Sequence, residues 1–226
     1  MLARADFVLS SVPPANGDPV LQRYEPELGD KTLVYLSSTG VYGDTGGAWV
    51  DESAPLNGRR GGRIEADLAW QALDARVLRL PGIYGSGRSV LDRLAEGRAH
   101  RVNLPEQVFS RIHVDDIASA VMSAFAAPPG VYNIADDLPA SQNAVVEHGA
   151  HLLGCAPPPF VPLDTLSPPA RAFYAENRRV ANGRAKRVLG WSPRYPDFVA
   201  GLGAISAMSS PANTSAPPAA ASQVQR

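Results

Sequence analysis

The sequence predicts an α/β domain built on a parallel sheet. Three observations carry this. Short apolar runs rich in β-branched and aromatic residues recur along the chain. Amphipathic segments with helix-capping residues separate them. Gly- and Pro-containing loops mark most of the joins. The 226 residues suit one large domain or a domain with a small appendage, and a hydrophobic content of 45% against 19% charged residues is ordinary for a globular chain with a sizeable core.

The elements follow in order. Residues 6–11, "DFVLSS", read as a short buried strand that ends in the loop "VPPANGD". Residues 19–28 read as a helix with Asp18 as N-cap and Pro26 weakening its last turn. Residues 32–38, "TLVYLSS", form a strand, followed by a long Gly-rich loop over 39–61. Residues 62–73 have helical spacing, with Ile64, Leu68 and Leu73 near one face. A strand over 76–80 leads into the Gly loop 81–89, "PGIYGSGRS", and a short helix, "VLDRLAEG". Next come a strand over 107–114, a helix over 115–125 capped by Asp115, a strand over 130–136 and a helix over 141–154 closed by Gly154. Short helical segments fill 167–177, 182–191 and 196–205, and the polar stretch from about Ser209 reads as a disordered tail.

Bulk properties exclude several classes. A formal net charge of -1 provides no field to attract nucleic acid or anionic lipid. No apolar run approaches the roughly 18 residues of a membrane span, and the first residues do not read as a signal peptide. The single Cys155 rules out an internal disulfide or a multi-cysteine metal site. His148 and His151 lack a third ligand in the pattern, so no metal site is expected. These features point to a cytoplasmic protein acting on a small molecule. Only Lys31 and Lys186 among the 21 basic residues are lysines, and arginine does not lose its proton in a tuned site as lysine can.

Several motifs stand in one order: "YLSSTGVYGD", "VDESAP", "RVLRLPGIYGSGR", "RIHVDDIASAV", "GVYNIADD" and "AKRVLGWSPRY". In this order the chain resembles the extended short-chain dehydrogenase/reductase superfamily of NAD-dependent epimerases and dehydratases, and within it an atypical oxidoreductase-like subgroup. The resemblance covers about residues 5 to 205. It implies a Rossmann-type sheet binding NAD or NADP along the strand C-termini. Here that sheet is partial, lacking its first βαβαβ half, and carries a small substrate lobe over about 82–113 and 138–195 within a domain of 1–208. It places Ser11, Val12, Pro13 and Pro14 beside the cofactor, with Ser37, Pro81, Gly82 and Ile83 on the nicotinamide side. Ser38 matches the catalytic hydroxyl, and Tyr84 lies on the substrate side. The helices at 19–28 and 63–73 correspond to a pair that often builds a homodimer.

The chain departs from the superfamily pattern twice. No Gly-rich turn follows the first strand to hold a pyrophosphate, which suggests an N-terminally truncated product. The alternative loop, with Gly82, Gly85 and Gly87, has the wrong spacing. The usual Tyr-x-x-x-Lys pair, in which lysine lowers the tyrosine pKa, is also absent, because Glu27 and Asn182 stand four residues before the two lysines. The corresponding helix positions hold Arg59 and Arg63, which can clamp an anion but cannot act as an acid. Tyr42 and Tyr84 are the candidate proton donors by proximity. Arg59, Arg60, Arg63, Arg88 and Arg111 form a candidate anion site; the usual arginine slot on the 107–114 strand holds Phe109, and Arg111 two residues on shares its face. His113 reads as a packing residue. The readings left open are an NAD(P)-dependent oxidoreductase or epimerase-like enzyme, a non-catalytic dinucleotide- or metabolite-binding module, and an inactive fragment without its cofactor half.

Overall fold

The computed structural model describes residues 2–59 and 61–209. Arg60 and the tail beyond 209 therefore lie outside the described residues. The first strand, β1 (Phe7–Ser10), is followed by α1 (Pro19–Tyr24) and β2 (Thr32–Ser38). Asp18 caps α1 as expected, accepting from the N–H groups of Val20 and Leu21 at 2.9 and 3.0 Å. Beyond Tyr24 the chain tightens into a 3₁₀ turn over Glu25–Glu27, where Pro26 cannot supply an α-helical N–H. After β3 (Trp49–Val50) come α2 (Gly61–Ala72), β4 (Arg76–Leu80), β5 (Gly82–Tyr84), α3 (Val90–Ala95), β6 (Arg111–His113), α4 (Val114–Phe125) and β7 (Gly130–Asn133). The chain ends in α5 (Gln142–Leu152), α6 (Pro168–Phe173), β8 (Arg179–Val180) and α7 (Phe198–Ser209).

Four strands make one parallel sheet in the order β1-β2-β4-β7, the α/β fold that the pattern predicts. Strand alternation divides their side chains between two cores. Leu33, Tyr35 and Val77 pack with Leu21, Ala66 and Trp70 of α1 and α2, and the Tyr35 ring stacks on Trp70 at 5.2 Å. Val34, Leu78 and Tyr132 pack on the other face against Ile117, Ala120, Val121 and Ala124 of α4. A third core joins α3, α5 and α7 through Val90, Leu91, Val145, Val146, Phe198 and Leu202. β1 is an edge strand, and its Phe7 (58% exposed) and Leu9 (45%) face outward beside α4. No described helix is long and apolar enough to cross a membrane.

Four local expectations change. The stretch 81–89 is not all loop, because Gly82–Tyr84 pair in parallel with Arg111–His113; three-residue strands are too short to show a period. Only 111–113 of the expected 107–114 strand is regular, while Phe109 makes isolated bridges to Ala140 and Arg178. His113, not Asp115, is the N-cap of α4: its Nδ1 accepts from the Asp115 N–H at 3.2 Å. On α2, Leu68 is half exposed, and the inward stripe is Ala66, Asp67 and Trp70.

That stripe brings a charge into the core. Arg79 of β4 is 2% exposed and Asp67 of α2 is fully buried. The guanidinium donates through Nε and Nη2 to Oδ2 and Oδ1 of Asp67 at 3.0 and 2.7 Å. Asp67 also accepts from Ser37 Oγ at 2.5 Å and Gln71 Nε2 at 2.6 Å, and the remaining Arg79 donor reaches Tyr42 Oη at 3.0 Å. The Tyr42 hydroxyl donates in turn to Asn133 Oδ1 at 2.7 Å. The motif "VDESAP" ties into the same place, since Glu52 accepts from the Asn133 N–H at 2.8 Å. Removing one partner of such a buried pair strands the other charge, at a cost of about 3–5 kcal/mol. Asp67→Ala is therefore expected to lower unfolding stability by about that amount in urea denaturation, whereas Glu96→Ala, on an exposed pair with Arg98, is expected to leave it within about 0.5 kcal/mol.

Candidate functional site at the strand C-termini

Because the sheet is parallel, β1, β2 and β4 all end on the same edge. There a cleft of about 900 Å³ opens between the sheet and the segments carrying α3, α5 and α6. Ser38 sits at its floor, half-buried, with its Oγ accepting from the Gly40 N–H at 3.1 Å. Pro81, Gly82, Ile83 and Tyr84 form the adjoining wall. Gly82 runs close to β6, where an added Cβ would lie 3.3 Å from the Ser110 carbonyl oxygen. Tyr84 is held in place by Gly201 of α7, whose lack of a side chain makes room for the phenol. The Tyr84 hydroxyl donates to the Asp197 carbonyl at 3.4 Å, and burial, reinforced by nearby Asp136 and Asp116, pushes its pKa above the ordinary phenol value.

The predicted residues separate by strand alternation. Ser38 reaches the cleft. Ser37 points the opposite way, into the Asp67–Arg79 pair, and is spent there. Tyr42 does not line the cleft either. It is 1% exposed, with its hydroxyl held by Arg79 and Asn133 and its pKa raised by burial. Ser11 to Pro14 lie past the end of β1 on the same sheet edge but outside the cleft lining.

The anion candidates are brought together. Arg59, Arg63, Arg88 and Arg111 all line the cleft, joined by Arg93, Arg98 and Arg178, which the sequence patterns had not singled out. Several are already committed. Arg59 and Arg178 pair with Glu176 at 3.2 and 2.6 Å, and Arg98 pairs with Glu96. Arg111 is buried, donating to the carbonyls of Phe109 and Ala140 at 2.8 and 2.9 Å and to Gln142 Oε1 at 3.2 Å. Its burial lowers its pKa to about 10. The one signal that pointed to Arg93 and Arg98 was the recurrence of arginine through and just beyond the short helix after the Gly loop.

A nicotinamide cofactor, which the resemblance implies, is matched at one end only. Ser38 and the Pro81–Ile83 segment line the cleft on the side where the resemblance puts the nicotinamide. The pyrophosphate end is not matched, because no Gly-rich turn with free N–H groups joins a strand to a helix among the described residues. The second Gly loop is closed on itself: the N–H groups of Gly85 and Arg88 each donate to the other's carbonyl. Behind it, the α3 N-terminus is occupied by the Ser89–Asp92 capping box.

Just past β7, Asp136 is 2% exposed, and neither carboxylate oxygen has a hydrogen-bond partner among the described residues. Burial raises its pKa to about 8, against the opposing pull of Arg111. From about pH 4 to pH 8 the native state therefore holds a proton that the unfolded chain has released, so this contribution to stability falls as pH rises across that window. Asp136→Asn removes the titration. The variant is expected to gain melting temperature over the parent at pH 8 and not at pH 4, which thermal scans across the range would show.

No protein-family model matches the sequence. Among solved structures, a functionally unknown conserved protein from Silicibacter pomeroyi superposes with a TM-score of 0.84 at 43% identity, over 89% of this chain and 77% of that one. A dTDP-glucose 4,6-dehydratase from Streptomyces venezuelae, solved with NAD, gives a TM-score of 0.71 at 18% identity over 91% of this chain and 74% of that one, which establishes likeness of fold. Among curated proteins, a 3-diazoavenalumate denitrifying reductase from Streptomyces sp. is 30% identical over 198 residues, 77% of this chain. The chain spans 65% of that reductase's length. The chain thus belongs to the family of the Silicibacter pomeroyi protein, on a fold shared with NAD-dependent nucleotide-sugar dehydratases and epimerases.

Proposed function

We propose that this chain carries the substrate side of an NAD(P)-dependent reductase acting on a small anionic molecule. The observation that carries the reading is the convergence of the Ser38 hydroxyl, the Gly82 wall and seven arginines on one cleft at the C-terminal edge of a parallel sheet. The reductase activity of the Streptomyces sp. relative and the NAD complexes of the shared fold support it. A bound nicotinamide cofactor would supply the hydride, with Ser38, Pro81, Gly82 and Ile83 facing it.

The chain's own residues account for the rest. Ser38 donates its hydroxyl proton in a hydrogen bond to the substrate atom that gains electron density. Arginine at the positions of the usual lysine holds a negative group and keeps its own proton. Tyr84 is the tyrosine that lines the main cleft among the described residues, and it serves as proton donor once its hydroxyl leaves the Asp197 carbonyl for the substrate.

Isothermal titration of NADPH and NADH into the protein tests the reading. Binding of one of them is expected, weakened towards the millimolar range by the unmatched pyrophosphate end, and no binding of either at millimolar concentration defeats it. With a turned-over carbonyl or diazo substrate in hand, Ser38→Ala is expected to lower kcat by about 10²-fold with little change in cofactor Kd. Loss of cofactor binding in that variant with unchanged kcat would assign Ser38 to holding the cofactor instead.

A further inference from the structure

The main cleft continues sideways into a second lobe of about 420 Å³ between α3, α5 and α6. Arg93, Arg98, Gln142, Pro169 and Phe173 line both, so the two spaces form one bent groove. The far wall is apolar, with Val146, Ala170 and Pro169. Phe173 stacks one face on Phe109 at 4.2 Å and 15° and remains 47% exposed, so its ring is a flat surface offered to the groove.

The charge available at the bend is small. Arg98 is paired with Glu96, and Gln142 Oε1 is taken by Arg111. The Arg93 side chain makes no hydrogen bond or ion pair among the described residues. It projects into the groove, where the surrounding walls lower its pKa although water still reaches it. One uncommitted guanidinium beside an aromatic surface matches one planar monoanion. A nucleoside diphosphate, with two or more charges, would meet only this single free cation in the second lobe.

We propose that the second lobe binds the carboxylate-bearing, aromatic end of the substrate, with Arg93 taking the carboxylate and Phe173 the ring. This names a substrate class for the reductase proposed above and rests on that reading for the chemistry, but binding to the lobe itself needs no cofactor. The test is calorimetric titration, without cofactor, of three probes into the full chain: cinnamate, its uncharged amide cinnamamide, and UDP. Cinnamate is expected to bind, and the amide to bind about tenfold or more weakly, because a charge-assisted hydrogen bond is lost. Arg93→Gln, a substitution at a side chain with no structural partner, is expected to weaken cinnamate by about the same factor and leave the amide unchanged. A thermal scan confirms that the variant is folded.

Equal binding of acid and amide to the parent protein would overturn the assignment, whatever the variant does. So would wild-type affinity for cinnamate in Arg93→Gln, tighter binding of UDP than of cinnamate, or no cinnamate binding at millimolar concentration. If cinnamate behaves as expected while NADPH and NADH fail to bind, the reductase reading falls and the aryl-carboxylate site stands. If a cofactor binds and cinnamate does not, only the site assignment falls.

Discussion

The buried pair of Arg79 and Asp67 is the constraint on which the arrangement of the site depends. It locks α2 to β4 beneath the end of the sheet and draws in Ser37 from β2, Tyr42 from the turn after it and Asn133 from β7. Each hydrogen-bonding arm of the pair is matched, as a charge in a core of low dielectric requires. One consequence is steric and simple. With Ser37 turned down into the pair, strand alternation turns Ser38 up into the cleft. The hydroxyl run at the end of β2 therefore divides into a structural member and a site member.

Much of this was legible in the sequence. The four main strands and the helices between them fall where apolar runs and capping residues place them, because each is long enough to show its period or carries a strong cap such as Asp18. The segments that were misread are short or governed by distant partners. β5 and β6 are three residues each and exist only because they pair with each other. Tyr42 stands four residues from Ser38 and looks catalytic in the sequence, but its hydroxyl is committed to residues 37 and 91 positions away. Nothing local announces that. The same holds for Asp136, whose carboxylate is left without a hydrogen-bond partner among the described residues by the packing of the segments around it.

The cleft's chemistry follows from composition as much as from position. A chain with two lysines must build its charged sites from arginine, which binds planar anions in a fixed fork and does not titrate near neutral pH. Arg59 and Arg178 pair with Glu176, Arg98 pairs with Glu96 and Arg111 is buried among carbonyls, which leaves Arg63, Arg88 and Arg93 without an ion pair among the described residues. Counting arginines would suggest a polyphosphate site throughout, whereas following their partners leaves the second lobe with the single unpaired guanidinium of Arg93. In the proposed reading, proton delivery by Tyr84 and orientation by Ser38 sit at the sheet edge, with the anion contacts spread around the bend of the groove.

The central claim is that the cleft over the C-terminal ends of β2 and β4 is where cofactor and substrate meet. Hydrogen–deuterium exchange with and without saturating NADPH addresses it directly. The account predicts added protection in the peptides spanning residues 38–40 and 81–84. Protection confined to other parts of the chain, or none at all, would contradict it.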